Sequence, residues 1–183
     1  MNQVRLDQFD NEHYNPGKLL YRVIWYMTSL VIFEAALPFP SKIKRGFLRF
    51  FGAKIGKGVI IKPHVRIKYP HNLTVGDDSW IGEGVWIDNL DMVTIGQHCC
   101  ISQGAYLLCG NHDYTSSKFD LITHPVIMQD GSWAGAQSIL GPGAMLEEEA
   151  VLTAGSVGLG ALSARHIHQG NPARPVRERV IKP

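Results

Sequence analysis

From Met128 onward, apolar side chains recur every six residues: Met128, Ala134, Leu140, Leu146 and Leu152. A six-residue period fits neither the helical turn nor the two-residue alternation of an ordinary strand. A second position keeps phase with the first. Four residues after each aliphatic start stands a small or β-branched side chain: Val59, Val65, Ser79, Val85, Cys99, Ala105, Ser132, Ser138, Ala144, Ala150 and Ser156. One large and one small inward position per six residues suits a short flat strand and then a corner, and three such units close a triangular coil. Glycines near the corners permit backbone conformations that other residues resist. The expected fold is a left-handed parallel β-helix in which each coil stabilises the next. A Gly-rich β-sandwich would not hold two positions in phase over so many units.

Ile55-Gly56, Val75-Gly76 and Ile95-Gly96 are 20 residues apart, two more than three hexads. Early coils therefore carry two extra residues at one corner, placed at Pro70 to Leu73 and Asn89 to Met92. The domain reading is a helical cap over residues 1–50, a β-helix over 51–157 with a loop at 109–125, and a C-terminal tail over 158–183.

The formal net charge is +2 and no long basic tract occurs, so nothing points to nucleic acid. The 3 cysteines, Cys99, Cys100 and Cys109, have no framework spacing and read as reduced thiols of a cytoplasmic protein. The polar start, Met1 to Lys18, does not resemble a signal peptide. Leu19 to Leu37 is apolar but contains Arg22 and Glu34. The charge-free run Val23 to Phe33 falls short of the roughly 20 apolar residues of a membrane span. It reads as a helix packed on its own domain or a neighbouring subunit, or as one lying at a membrane interface. Lys42, Lys44, Arg45 and Arg49 interleave with Phe47, Leu48, Phe50 and Phe51 in an amphipathic pattern. That helix either caps the first coil with its apolar face or is drawn by its basic residues to the anionic inner face of a membrane.

The repeat stops after Leu107 and resumes near Met128. Between them lie Cys109-Gly110-Asn111-His112-Asp113-Tyr114 and a polar stretch to His124-Pro125. A long insertion in a tight solenoid projects from one face and is usually functional. An imidazole there suits general-base work near neutral pH.

Four motifs carry a family resemblance: Gly52-Ala53-Lys54-Ile55-Gly56, Asn111-His112-Asp113-Tyr114, Asp130-Gly131-Ser132-Trp133, and Gly170-Asn171-Pro172-Ala173-Arg174-Pro175-Val176-Arg177. With them the chain resembles the hexapeptide acyltransferases, within these the sugar O-acetyltransferases, and most nearly the colanic acid biosynthesis acetyltransferases. The resemblance implies acetyl transfer from acetyl-CoA to a sugar hydroxyl of a surface polysaccharide precursor, in a homotrimer whose donor cleft lies between subunits. It implies His112 as general base, oriented by Asp113 or a loop carbonyl, with an oxyanion donor near Gly135 or Ala136. Trp133, Ala136 and Ala154 would line the pantetheine arm, and Arg174 and Arg177 would meet the CoA phosphates. Asp88, Asn111, Asp113 and Tyr114 are the acceptor-side candidates, with Asn89 and Trp86 beside them. One departure stands out. Leu159-Gly160 occupies the place of a Thr-Lys pair common in the family, and Arg165 is the candidate substitute.

Three rival readings differ in class. A different small hydroxylated acceptor would leave the chemistry unchanged. A metal enzyme like the gamma-class carbonic anhydrases would need several converging histidines, and His64, His71, His98, His124 and the His166/His168 pair read instead as surface or packing residues, so no metal is expected. A non-catalytic β-helix scaffold would not need the Asn111-His112-Asp113 loop or the Gly170 to Arg177 tail.

Overall fold

A computed structural model describes residues 3–182. The hexads form the left-handed parallel β-helix that their period requires, a prism with three faces. Face A stacks Lys54–Ile55, Leu73–Val75, Val93–Ile95, Val126–Met128, Met145–Leu146 and Ala161–Leu162. Face B stacks Ile60–Ile61, Trp80–Ile81, Cys100–Ile101, Trp133–Ala134, Val151–Leu152 and His166–Gly170, and ends on Ala173–Glu178. Face C stacks Arg66–Ile67, Trp86–Asp88, Tyr106–Leu108, Ile139–Leu140 and Val157–Gly158. Coil-to-coil pairs within the faces are parallel, and only the final pair on face B is antiparallel.

The large inward column (Ile55, Ile61, Ile67 and their equivalents up to Leu152) and the small column from Val59 to Ser156 are both buried. Side chains alternate across a strand, so the residue beside each large one points to solvent. The residue before each small one turns the corner with positive φ. Glycine supplies it at 58, 84, 104, 131, 143 and 155, and His64, Asp78, His98, Gln137 and Glu149 adopt φ of 54–58° without one. The corner therefore needs the left-handed conformation more than it needs glycine, which explains why glycine is only intermittently periodic.

Register gives each coil its length. Lys54 pairs with Thr74 and Leu73 with Val93, so the early coils advance by 20 residues. The extra residues make the Pro70–Asn72 3-10 turn and the corner at Asn89, as expected. Asn89 is fully buried. Its side chain accepts the Tyr69 N–H and donates to the Tyr69 and Asn72 carbonyls. It is therefore a structural brace of the corner, and the expectation that it meets an acceptor does not hold. Val93 pairs with Val126, a coil lengthened by the insertion. Trp133 pairs with Val151, a plain three-hexad coil of 18.

The last coil is the shortest: Met145 pairs with Ala161 and Val151 with Ile167, an advance of 16. The solenoid thus runs past the boundary expected at 157. Strands at 161–162 and 166–170 complete a further coil, and the tail begins only after Gly170. The expected boundary falls short because this coil loses two residues between Val157 and Ala161 and puts Gly158 and His168 at inward positions, which breaks the aliphatic period.

At the other end, each coil donates N–H groups to carbonyls of the next coil, as in Gly56 N–H to Val75 O and Ile60 N–H to Ser79 O. The first coil is therefore left with carbonyls that no coil donates to, and buried carbonyls need donors. Helices α1 (Leu19–Ser29) and α2 (Ser41–Phe50) supply them. Arg49 donates to Ile55 O and Gly56 O, Arg45 to Val59 O, Lys44 to Lys62 O, and Trp25 of α1 to Ile67 O. Burial in this cap lowers the Lys44 pKa. The N-terminal segment is the expected cap, but α2 docks with its basic side chains and Leu48 inward. Its apolar residues Ile43, Phe47 and Phe50 face out, the reverse of the expected orientation. Among the described residues, no helix is long and apolar enough to cross a membrane.

Candidate active site

The insertion leaves the prism at the corner between faces C and A. It is a β-hairpin: Gly110–His112 pairs antiparallel with Leu121–Thr123, His112 opposite Leu121. Phe119 in the turn has φ 57°, which aims its carbonyl back at the strand. That oxygen lies 2.8 Å from His112 Nδ1. A carbonyl can only accept, so Nδ1 carries the proton and Nε2 is left with a free lone pair. The Phe119 ring lies flat on the imidazole, 4.3 Å between centroids and 8° from parallel. Phe9 meets the imidazole edge-on at 5.6 Å.

Phe9 belongs to an N-terminal strap along the hairpin. Arg5 N–H donates to Ser117 O at 2.8 Å, His13 Nε2–H to Leu121 O at 3.2 Å, and the Tyr14 hydroxyl to Leu90 O at 2.9 Å. Burial pushes the Tyr14 phenol above its ordinary pKa. Neither Phe9 nor Phe119 is identifiable from the sequence. Phe119 acts through its backbone, which has no sequence signature, and Phe9 sits alone in a polar segment.

Asp113 does not orient the imidazole. Its carboxylate accepts the Thr115 hydroxyl at 2.6 Å and the Thr115 N–H at 2.9 Å, bonds that lower its pKa and close the hairpin turn. Asn111 is exposed, and its side-chain oxygen accepts the His112 N–H at 2.9 Å. Tyr114 is largely exposed. Asp88 lies on face C opposite Leu108, one coil below the hairpin root, ion-paired to Lys68 at 2.9 Å. Beside it the Trp86 and Tyr106 rings stack at 4.6 Å, with the Arg66 guanidinium 5.7 Å from the Trp86 ring.

A second cluster occupies the corner between faces B and C. Ala136 and Ala154 are stacked there one coil apart, joined by Gly155 N–H to Ala136 O. Gly135 packs so tightly that a Cβ on it would lie 2.6 Å from Ala154 N. This edge is a smooth strip of small residues. Half-exposed Trp133 flanks it on face B, its Nε1–H donating to Ser102 Oγ at 2.9 Å. Arg174 pairs with Gln169, just beyond the strip, and Arg177 with Ile167; both are exposed. Arg165 does not join them. It is drawn to Glu149 at 3.3 Å and Glu148 at 3.6 Å, near the corner between faces A and B, so it does not replace the missing Lys. Leu159-Gly160 forms the two-residue corner at which the final coil is shortened.

The structure thus gathers Trp133, Ala136, Ala154 and Arg174 on one edge and holds His112 and Asn111 on another. Face C lies between, and six extended residues span roughly 20 Å. Burial raises the Cys109 pKa to about 11. Among the described residues no three His, Cys, Asp or Glu side chains converge as a metal site.

No family model matches the chain. It is 36% identical over 164 residues to WcaF of Escherichia coli K12, a protein named for acetyl transfer in colanic acid biosynthesis, and the match covers 90% of each chain. The galactoside O-acetyltransferase of the same organism is 22% identical over 144 residues, covering 76% of this chain and 71% of its own. Among solved structures, a hexapeptide-repeat acetyltransferase from Vibrio cholerae, complexed with acetyl-CoA, superposes with a TM-score of 0.81 at 18% identity, covering 94% of this chain and 96% of its own. A maltose O-acetyltransferase from Clostridium difficile gives 0.80 at 19% identity, covering 90% of each. The two structural matches agree on the fold, and the WcaF match covers nine-tenths of the chain: the chain belongs to the WcaF-type colanic acid acetyltransferases and is a hexapeptide-repeat acyltransferase.

Proposed function

We propose that the protein moves an acetyl group from acetyl-CoA to a sugar hydroxyl in cytoplasmic assembly of a surface polysaccharide, with His112 as general base. The observation that carries this is the Nδ1–H bond to the Phe119 carbonyl, which leaves Nε2 as a positioned proton acceptor.

Nε2 takes the proton of the acceptor hydroxyl as its oxygen bonds to the thioester carbonyl carbon. The carbonyl electrons move onto oxygen. Gly135 N–H is already donated to Leu152 O, whereas among the described residues Ala136 N–H makes no coil bond, so Ala136 is the better oxyanion donor of the two. Collapse breaks the C–S bond, and the imidazolium returns its proton to the thiolate, releasing the ester and free CoA.

On this reading the pantetheine arm follows the Ala136/Ala154 strip beside Trp133, and Arg174 and Arg177 meet the CoA phosphates, a task suited to the guanidinium fork. The small residues let the arm approach the backbone. The separation of the two edges supports a homotrimer in which the hairpin of one copy faces the strip of the next. Asn111, Tyr114 and Asp88 border the acceptor side, and Asp113 serves through the hairpin turn. Relatives solved with acetyl-CoA or CoA support the donor, and the galactoside and maltose enzymes support a sugar acceptor.

The test is thiol release from acetyl-CoA over a panel of mono- and oligosaccharides, with sedimentation to define the oligomer. Sugar-dependent release by a trimer is expected. Release with only non-sugar alcohols would replace the acceptor class, and no release with any hydroxyl would favour a non-catalytic scaffold.

A further inference from the structure

Capping the first coil turns the N-terminal helices inside out. The carbonyls at the open end of the prism claim Lys44, Arg45 and Arg49, so these cations are unavailable to attract a membrane. The same contacts force the apolar side of α2 outward, where Phe50 is 82% exposed. Along α1 and the helical turn Leu30–Glu34 that continues it, the stripe Leu20, Ile24, Met27 and Val31 follows the helical repeat and is also exposed, Leu20 at 71%. The buried side of this segment contains Trp25, Ser29 and Phe33, and α1 likewise shows solvent a strongly apolar side. The two faces are continuous: Leu20, Ile24 and Phe50 line one hollow, and Phe50, Phe47 and Ile43 the next. Soluble monomers rarely leave an apolar patch of more than roughly a few hundred Å² uncovered.

We propose that this outward face of α1 and α2 is a docking surface for an anionic lipid bilayer. The charge pattern selects this occupant. Lys18 borders the hollow and Lys42 flanks Ile43, both exposed. Between Gly17 and Phe50 the only acidic residue is Glu34, which turns to Arg66 of the coil at 3.3 Å. An apolar centre with a cationic rim and no exposed carboxylate matches the acyl chains and anionic headgroups of one leaflet. A second copy pressed against the same face would set like charges together. The helices are too short to span, so they lie in the interface with the prism standing on the membrane. The proposal rests on the cap and is independent of the role of His112.

The test is co-sedimentation of the full chain with phosphatidylcholine vesicles, with and without phosphatidylglycerol, at low and high salt. Wild type should partition at least about tenfold more strongly onto the anionic vesicles, less so at high salt. Ile24→Glu and Phe50→Glu, both at exposed sites and checked by thermal melting, should each lower partitioning about tenfold. Lys18→Glu with Lys42→Glu should remove the anionic preference. Wild type that ignores every vesicle overturns the proposal, as do glutamate variants that pellet like wild type. Glutamate variants that break up an oligomer of a lipid-indifferent wild type would assign the face to a second copy instead.

Discussion

Removing the Phe119 ring while keeping its backbone separates the two contacts that hold His112. The carbonyl accepts the Nδ1 proton at 2.8 Å and the ring stacks on the imidazole at 4.3 Å. At φ 57° glycine is at ease and alanine is strained by roughly 1 kcal/mol. Phe119 bears the same strain, which the stacked ring offsets, so Phe119→Gly deletes ring and strain together and lets the turn persist, whereas Phe119→Ala keeps the strain without the contact that offsets it and frees the carbonyl to shift. An aromatic pair contributes about 0.5–1.5 kcal/mol beyond its buried area, so if all of it orients the base, Phe119→Gly slows turnover by roughly 2- to 13-fold. A hydrogen bond to a group that becomes charged contributes about 1.5–3 kcal/mol, so losing it as well costs roughly another 13- to 160-fold. The expected order is wild type, then Phe119→Gly, then Phe119→Ala, measured as thiol release at saturating acetyl-CoA. Wild-type turnover in Phe119→Gly would refute the stacking role. A Phe119→Gly defect as large as that of His112→Ala would refute the idea that the backbone carbonyl holds the ring on its own.

Other consequences are open to measurement. Ala105 is fully buried in the small column, so Ala105→Leu should overpack the coil and cost about 1–3 kcal/mol in urea unfolding; an unchanged midpoint would mean the column is not close-packed. Ala154→Trp should fill the strip and raise the acetyl-CoA KM by about tenfold or more with the melting temperature kept, whereas an unchanged KM would move the pantetheine arm elsewhere. Burial lowers the pKa of His71 and His168 below the ordinary 6.5. The unfolded chain therefore binds protons that the fold resists. Stability is full above pH 6.5 and falls as pH drops through that value toward the lower folded pKa values. His168 occupies an inward position above Leu152, so His168→Leu should fit the column and flatten the decline in melting temperature between about pH 7 and pH 5; an equally steep decline would exclude His168 as a source.

The sequence carried the prism in full where the chemistry is repetitive. Ile55 to Leu152 and Val59 to Ser156 had to keep phase because each side chain is packed between copies of itself one coil away. The period breaks at the last coil, where Gly158 and His168 take inward places that aliphatic residues hold elsewhere. At α2 the pattern is intact but ambiguous. An amphipathic pattern tells that a helix has two sides, but which side turns inward depends on the partner, and here the partner is a ring of carbonyls that prefers Lys44, Arg45 and Arg49 to Phe47 and Phe50. His112 was legible because it interrupts the repeat. Of its two expected orienting groups, Asp113 or a loop carbonyl, the structure has the carbonyl; which residue supplies it was not legible, because any residue could offer one. Asn89 looked like a sugar ligand because a polar residue at a corner is ordinarily exposed, yet the two-residue extension folds over it and consumes its amide.

The central claim is that His112 Nε2 accepts the proton of the attacking hydroxyl. Steady-state kinetics of His112→Ala and His112→Asn, with the best sugar acceptor from the panel, tests it most directly. The expected result is a kcat lower by roughly 10²- to 10⁴-fold with the acetyl-CoA KM essentially unchanged, because the small-residue strip and the tail arginines, not the imidazole, hold the CoA. Undiminished kcat in both variants would contradict it.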